Sequence, residues 1–261
     1  DSEGRLHVEN LREAVATLAP EDRERVFAVV ATCGTTNAGV IDDLDAAAGV
    51  PAGRGGWVHV DGAYGGAGLA APSVRAHYHG IERADSFIVD PHKWLFAPFD
   101  CCALLYADPN VARAAHTQHA EYLDVLHADE GHEEDWNPSD FAHHLSRRAR
   151  GLPFWFSLAT YGTGAYRDAV EQSLTVTREA ARLIRESDHL ELIMEPELSV
   201  VLFRRRGWTP AQYQQWSEEM LAAGTAFVVP TAWAGETVLR ICVVNPRTTV
   251  DDVRLILDSL T

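Results

Sequence analysis

Across its 261 residues the chain carries 38 Asp and Glu against 22 Lys and Arg, a formal net charge of −16. A charge of that sign and size excludes nucleic acid and anionic membrane surfaces as partners. With 46% hydrophobic and 23% charged residues, the composition is that of an ordinary soluble globular protein with one large domain or one and a half, and neither a membrane span nor a signal peptide is expected.

Taken in order, Val8 to Leu18 has apolar residues at helical spacing, with Asn10 and Glu13 near its start. Arg25 to Thr32 reads as a strand that ends in a turn bearing hydroxyls, Gly34-Thr35-Thr36. Ile41 to Ala48 is expected as a helix with Asp42 and Asp43 in its first turn, where the helix dipole favours acids. A Pro/Gly loop, Val50 to Gly56, leads to a strand, Trp57 to Val60, ending in Asp61 and a glycine-rich turn. A carboxylate at the C-terminal end of a strand in a parallel α/β sheet faces the crevice where ligands bind. A short helix near Val74 to His79 follows.

Phe87 to Val89 reads as a buried strand stopped by Pro91, and Cys101 to Tyr106 returns as another. Lys93 lies on what reads as a tight connection between them, flanked by His92 and Trp94. Apolar and aromatic neighbours are expected to desolvate it in part, favouring the neutral, nucleophilic amine that a Schiff-base lysine requires. A plain surface lysine after a strand is the other reading of this stretch alone. Pyridoxal phosphate needs a lysine for its aldehyde and a carboxylate for its pyridine nitrogen, and Lys93 and Asp61 could supply both. The four cysteines, Cys33, Cys101, Cys102 and Cys242, have no framework spacing. Reduced core thiols in a cytoplasmic protein are expected, Cys101 and Cys102 within the returning strand.

Pro109 to Ala115 reads as a short helix. From His116 to His144 the chain is rich in His, Asp and Glu, without the spacing of a known zinc motif apart from His116 and His119. A solvated loop is expected there, and no metal. The arginines of Ser146 to Arg150 suit capping or pairing with acids as well as substrate binding. An aromatic-rich helix, Leu152 to Tyr161, precedes a long amphipathic one, Thr163 to Glu186. Beyond His189 the pattern becomes a small α+β unit: strands Leu190 to Met194, Ser199 to Arg204, Ala226 to Val229 and Thr237 to Val243, with helices Thr209 to Ala223 and Thr249 to Leu260. The expected division is residues 1–163 as part of a large domain, 164–188 as a connecting helix and 189–261 as a small C-terminal domain. Strands alternating with helices predict an α/β fold with a mostly parallel sheet.

Two strings carry a resemblance: His59-Val60-Asp61-Gly62-Ala63-Tyr64, and Ala84-Asp85-Ser86 followed by Pro91-His92-Lys93-Trp94. Together they resemble the signature of the pyridoxal-phosphate-dependent group II amino-acid decarboxylases, from about Val26 to the C-terminus. The resemblance implies a fold-type-I large domain with a small C-terminal domain, pyridoxal 5'-phosphate as cofactor, and decarboxylation of an L-amino acid, an aromatic one favoured. It implies that Lys93 holds the coenzyme and Asp61 its ring nitrogen. It places Thr35 near the ring and its phenolic oxygen, Thr36 being the close competitor, and Ala63 and His92 in the cofactor site. Tyr122, on a loop that closes over the site, is the implied proton donor to Cα. A homodimer is implied, and so is a further N-terminal portion bearing the phosphate cradle, so that the chain alone should hold the coenzyme poorly.

Two positions depart from the family pattern. Asp90 stands where asparagine is usual and would repel a phosphate. Gly62 stands where alanine is usual and is expected to leave room under the ring. The alternatives are another fold-type-I enzyme, such as an aminotransferase or a cysteine desulfurase, and a non-catalytic assembly fragment without the cradle.

Overall fold

Short runs of β-branched and small apolar residues build the first sheet of this computed structural model, which describes residues 4–50, 56–118 and 137–261. Strands β1 (Ala28–Thr32), β2 (Trp57–Asp61) and β3 (Ser86–Val89) are parallel neighbours, and β4 (Ala103–Tyr106) closes the order β1-β2-β3-β4 antiparallel to β3. The register pairs Thr32 with Asp61 and Asp61 with Ile88, so the C-terminal ends of the three parallel strands lie side by side. Helices α1 (Val8–Thr17), α2 (Pro20–Arg23), α3 (Leu44–Ala48) and α4 (Pro109–His116) accompany this sheet. The connection from β2 to β3 is made of three short 3-10 turns, beginning with Gly65–Ala70.

Several expectations change here. Asp42 does not sit in a helical first turn. It is buried, and its two oxygens accept from the backbone N–H groups of Leu6 and Thr32, both at 2.7 Å. The helix starts later because Asp43 is its N-cap, accepting from the Ala46 N–H at 2.9 Å. No side chain caps α1, which starts after His7. The β3 to β4 connection spans residues 90–102 and is not tight, and Cys102 lies before β4 and is exposed, while Cys101 is buried.

Helix α5 (Gly151–Glu186) joins the two expected helices across a kink at Gly162, whose φ of 77° lies in the left-handed region open to glycine. Its second half packs on a second sheet of order β5-β6-β8-β7, antiparallel throughout, formed by β5 (Leu190–Leu192), β6 (Val200–Arg205), β7 (Pro230–Trp233) and β8 (Glu236–Cys242). Helices α6 (Pro210–Ala222) and α7 (Val250–Asp258) complete that layer, whose core includes Val176, Ile184, Phe203, Trp216, Leu239 and Leu257. Each such side chain contributes about 1.5–3 kcal/mol on burial. Strand β7 forms at Pro230–Trp233, after the expected Ala226 to Val229 run. Pro230 starts it on the sheet's edge, where a missing N–H costs little. Leu198 and Val200 also enter the core of the first sheet, so the two layers share apolar contacts.

Candidate active site

Asp61 ends β2, and its backbone carbonyl accepts from the Cys33 N–H at 2.7 Å, continuing the ladder past β1. The chain then turns sharply. The Ala63 N–H donates to Asp61 Oδ1 at 3.0 Å, an Asx-type turn that fixes the carboxylate. Its other oxygen has no hydrogen-bond partner among the described residues. The Asp61 charge, together with burial and Asp42, pushes the Cys33 thiol up to about 12, burial being the largest cause.

The Lys93 turn is tied to the Asp61 turn through the backbone. The Gly62 N–H donates to the Ile88 carbonyl at 3.0 Å, the Asp90 N–H to the Ala63 carbonyl at 3.0 Å, and the Lys93 N–H to the Asp90 carbonyl at 2.9 Å. Both turns leave adjacent parallel strands at the same end, so the structure brings Asp61, Ala63, Asp90 and Lys93 into one neighbourhood. The expected desolvation of Lys93 is corrected. Its side chain is 42% exposed and its Nζ pairs with Asp90 Oδ2 at 2.9 Å. The aromatic neighbour turns the other way: Trp94 is fully buried and stacks on Tyr64, centroids 5.4 Å apart. Adjacent residues of a turn point in different directions, so a flanking Trp in sequence is no cover for the lysine.

His92 Nδ1 lies 2.6 Å from the Cys101 carbonyl and 3.2 Å from the Cys101 backbone nitrogen. His92 therefore anchors the connection to β4, and its ring meets Phe99 edge-on. Thr35 closes its own turn: its Oγ1 accepts from the Val40 N–H at 3.2 Å, and its N–H donates to the Val40 carbonyl at 2.9 Å. Its hydroxyl proton is not committed by that bond. Thr36 is exposed. Tyr122 lies outside the described residues, as does most of the His- and acid-rich stretch around it. Among the described residues no three His, Cys, Asp or Glu side chains form a metal-binding cluster.

Gly62 leaves no spare room. A Cβ there would stand 2.4 Å from Phe87 Cε2, 2.9 Å from the Ile88 carbonyl and 3.0 Å from Cys33 Sγ. The expected gap is filled by the Phe87 ring. Behind the turn, the Tyr64 hydroxyl meets Ser199 Oγ at 2.5 Å and accepts from the Ser199 N–H at 2.9 Å, which pins the Asp61 turn to the second sheet. The arginine run pairs with an acid: Arg150 and Arg148 both meet Asp100, Arg150 at 2.8 Å, and hold its carboxyl below the usual range.

Two site features escaped the motif reading. Lys93 is the only lysine among the 22 Lys and Arg residues; a count of lysines alone singles it out. Asp90 looked like a misfit beside a phosphate, whereas in the structure its carboxylate pairs with Lys93 Nζ; partial desolvation and the neighbouring Asp90 push the Cys102 thiol up to about 11. The donor set fits pyridoxal phosphate: a carboxylate with an unpartnered oxygen and a reachable primary amine, held on one backbone frame.

The conserved-domain model of the pyridoxal-dependent decarboxylases matches residues 1–206. The chain is 28% identical over 261 residues to an aromatic-L-amino-acid decarboxylase of Bacillus atrophaeus, covering 94% of this chain and 53% of that one. It is 34% identical over 268 residues to the L-2,4-diaminobutyrate decarboxylase of Rhizobium meliloti (strain 1021), covering 100% and 52%. The crystal structure of Oryza sativa TDC with PLP and tryptamine superposes with a TM-score of 0.88 at 30% identity, covering 99% of this chain and 54% of that one. The chain thus spans about half the length of these relatives. A match across most of its length, on a fold that sets the motif aspartate and the single lysine side by side, shows that the chain belongs to the pyridoxal-dependent decarboxylase family.

Proposed function

We propose that this chain carries the coenzyme lysine and the ring-nitrogen carboxylate of a decarboxylase that converts an L-amino acid to its amine and carbon dioxide. One observation carries the reading: the backbone bonds from Gly62 to Ile88 and from Asp90 to Ala63, which hold the Asp61 and Lys93 turns together at the ends of adjacent parallel strands. Bound there, pyridoxal phosphate supplies the electron sink for loss of the carboxylate. Asp61 holds the proton on the ring nitrogen through its unpartnered oxygen. Lys93 offers the amine for the aldehyde. The Ala63 backbone fixes both turns, Thr35 offers its hydroxyl proton to the phenolic oxygen, and His92 keeps the lysine's connection in shape. Tyr122 supplies the proton to the substrate Cα, by the family resemblance.

An aromatic amino acid is the substrate class put first, on the Bacillus and rice relatives. The Rhizobium relative is a diaminobutyrate decarboxylase, so L-2,4-diaminobutyrate is the comparison that matters. A second copy of the chain and the portion of the relatives' length that this chain does not span are the proposed protein partners.

The test is borohydride reduction in the presence of pyridoxal phosphate, followed by peptide mapping. Label is expected on Lys93 and absent in Lys93→Ala. Because the sequence has no other lysine, the α-amino group is the competing amine, and label found there alone sinks the assignment. Carbon dioxide release from a panel of L-amino acids then ranks the substrates, and a preference for L-2,4-diaminobutyrate overturns the aromatic choice.

A further inference from the structure

We propose that Tyr64 is the positioning residue of the coenzyme site: its ring, stacked on Trp94, sets the Lys93 turn against the Asp61 turn, and its hydroxyl locks that pair to the second sheet. The proposal rests on the reading of Asp61 and Lys93 as the coenzyme's two anchors. Tyr64 follows Asp61 by three residues and Trp94 follows Lys93 by one, so the two rings belong to the two turns. Their centroids lie 5.4 Å apart, with the planes 17° from parallel. Trp94 is fully buried, yet its indole N–H has no hydrogen-bond partner among the described residues. Packing alone holds that ring, and Tyr64 is its stacking partner. An aromatic pair of this kind adds to what burial alone contributes.

The hydroxyl end of Tyr64 is held by hydrogen bonds instead. It meets Ser199 Oγ at 2.5 Å and accepts from the Ser199 N–H at 2.9 Å, both bonds being buried. Ser199 is itself fully buried and stands one residue before β6, and its carbonyl accepts from the Val243 N–H at 2.8 Å, just past β8. Tyr64 thus bonds to a residue that the second sheet has already fixed. The backbone bonds from the Gly62 N–H to Ile88 and from the Asp90 N–H to Ala63 join the two turns to each other. The stack and the Ser199 bonds hold the same turns from the core, so a shift of either turn disturbs both sets of contacts.

The turns are read first without coenzyme, by amide hydrogen exchange of the peptides that carry the Gly62 and Asp90 N–H groups. Tyr64→Phe keeps the stack and deletes the hydroxyl, leaving the Ser199 N–H and Oγ without it. Exchange at both turns is expected to rise about fivefold, the contribution of one hydrogen bond. Tyr64→Leu gives up the stack as well, and a rise of about 50-fold is expected. The β5–β6 ladder is the internal reference. Exchange equal to wild type at the two turns overturns the proposal, and so does a rise shared equally by that ladder, which is loss of global stability. Affinity for pyridoxal phosphate, from absorbance titration, is expected to fall in the same order, and an unchanged affinity while the turns loosen also overturns the proposal. Thr249→Ala, which loses a helix cap in the second layer, separates positioning from stability. It is expected to keep wild-type affinity, and a loss equal to that of Tyr64→Phe overturns the positioning role. Should Tyr64→Leu fail to fold by circular dichroism, Tyr64→Phe, which removes one oxygen, carries the test. The reading of Lys93 fails separately: a wild-type chain whose Lys93 captures no pyridoxal phosphate removes the coenzyme reading, whereas looser turns in the Tyr64 variants leave the Tyr64 contacts standing.

Discussion

Asp61 has one oxygen tied into its own turn and the other unpartnered, the arrangement that a protonated ring nitrogen can use. A charge-assisted hydrogen bond of this kind is worth about 1.5–3 kcal/mol. Asp61→Asn should therefore weaken pyridoxal phosphate binding about 10- to 100-fold, read by titrating the coenzyme's absorbance. Wild-type affinity in that variant removes Asp61 from the site. Cys33, beneath the same turn, is fully buried, and burial with the Asp61 charge raises its thiol from 9.0 to about 12. A folded-state value above the unfolded one means stability that is complete below pH 9 and lost as pH rises towards 12. Chemical-denaturation midpoints should fall across that window, and fall less steeply in Cys33→Ala. Parallel curves for the two proteins would show that other groups govern the alkaline limit. Asp61 and Lys93 were legible from their motifs. The partner of Lys93 was not, because the i to i+3 closure from Asp90 depends on a turn whose shape no periodicity encodes.

Elements were legible where a local signal and the tertiary demand agreed. α7 was expected from Thr249, and in the structure it begins at a Thr249 capping box: Thr249 Oγ1 accepts from the Asp252 N–H at 3.2 Å, and Asp252 Oδ2 accepts from the Thr249 N–H at 2.8 Å. Thr249→Ala should cost about 1 kcal/mol, measured by urea denaturation; no change would mean that the packing of Val253 and Leu257 holds the helix without its cap. Gly65 is the opposite case, a residue whose need is set by tertiary approach. A Cβ there would lie 2.2 Å from the Cys33 carbonyl and 2.8 Å from Gly34 Cα, both backbone atoms that cannot step aside. Gly65→Ala should cost about 1–3 kcal/mol or more, and a melting temperature equal to wild type would show that the two turns can separate. The reading failed where competing signals crossed. A strand was expected over Ala226 to Val229, and instead Pro230 opens an edge strand. Asp42 looked like a helix-dipole acid and instead clamps two backbone N–H groups across the first layer. Kinked α5 was legible as two helices because Gly162 interrupts the pattern where the backbone bends.

At the scale of the molecule, two surface properties oppose each other. The net charge of −16 resists association. Yet the first half of α5 exposes Leu152, Trp155, Phe156 and Tyr161, and the first sheet exposes Phe27, Val30, Leu104 and Leu105. Scattered exposed hydrophobics are ordinary, but a group of this size on one helix segment is the mark of an interaction surface. A helix that showed such residues to water would have no reason to be aromatic there, since aromatic side chains lose χ1 freedom in a helix and gain only through packing. The chain should therefore self-associate, and the balance should move with salt. At about 0.01 M ionic strength the Debye length is about 30 Å and the acidic surfaces repel; at about 0.15 M it is about 8 Å and the apolar contact prevails. Sedimentation velocity should show the 28.7 kDa species giving way to a heavier one as salt and protein concentration rise. The double substitution Trp155→Glu and Phe156→Glu should hold the protein at the lighter species under the same conditions, with its circular dichroism unchanged, because both residues are exposed and make no core contact to lose. A wild-type chain that stays at 28.7 kDa throughout would mean that these side chains await a different surface.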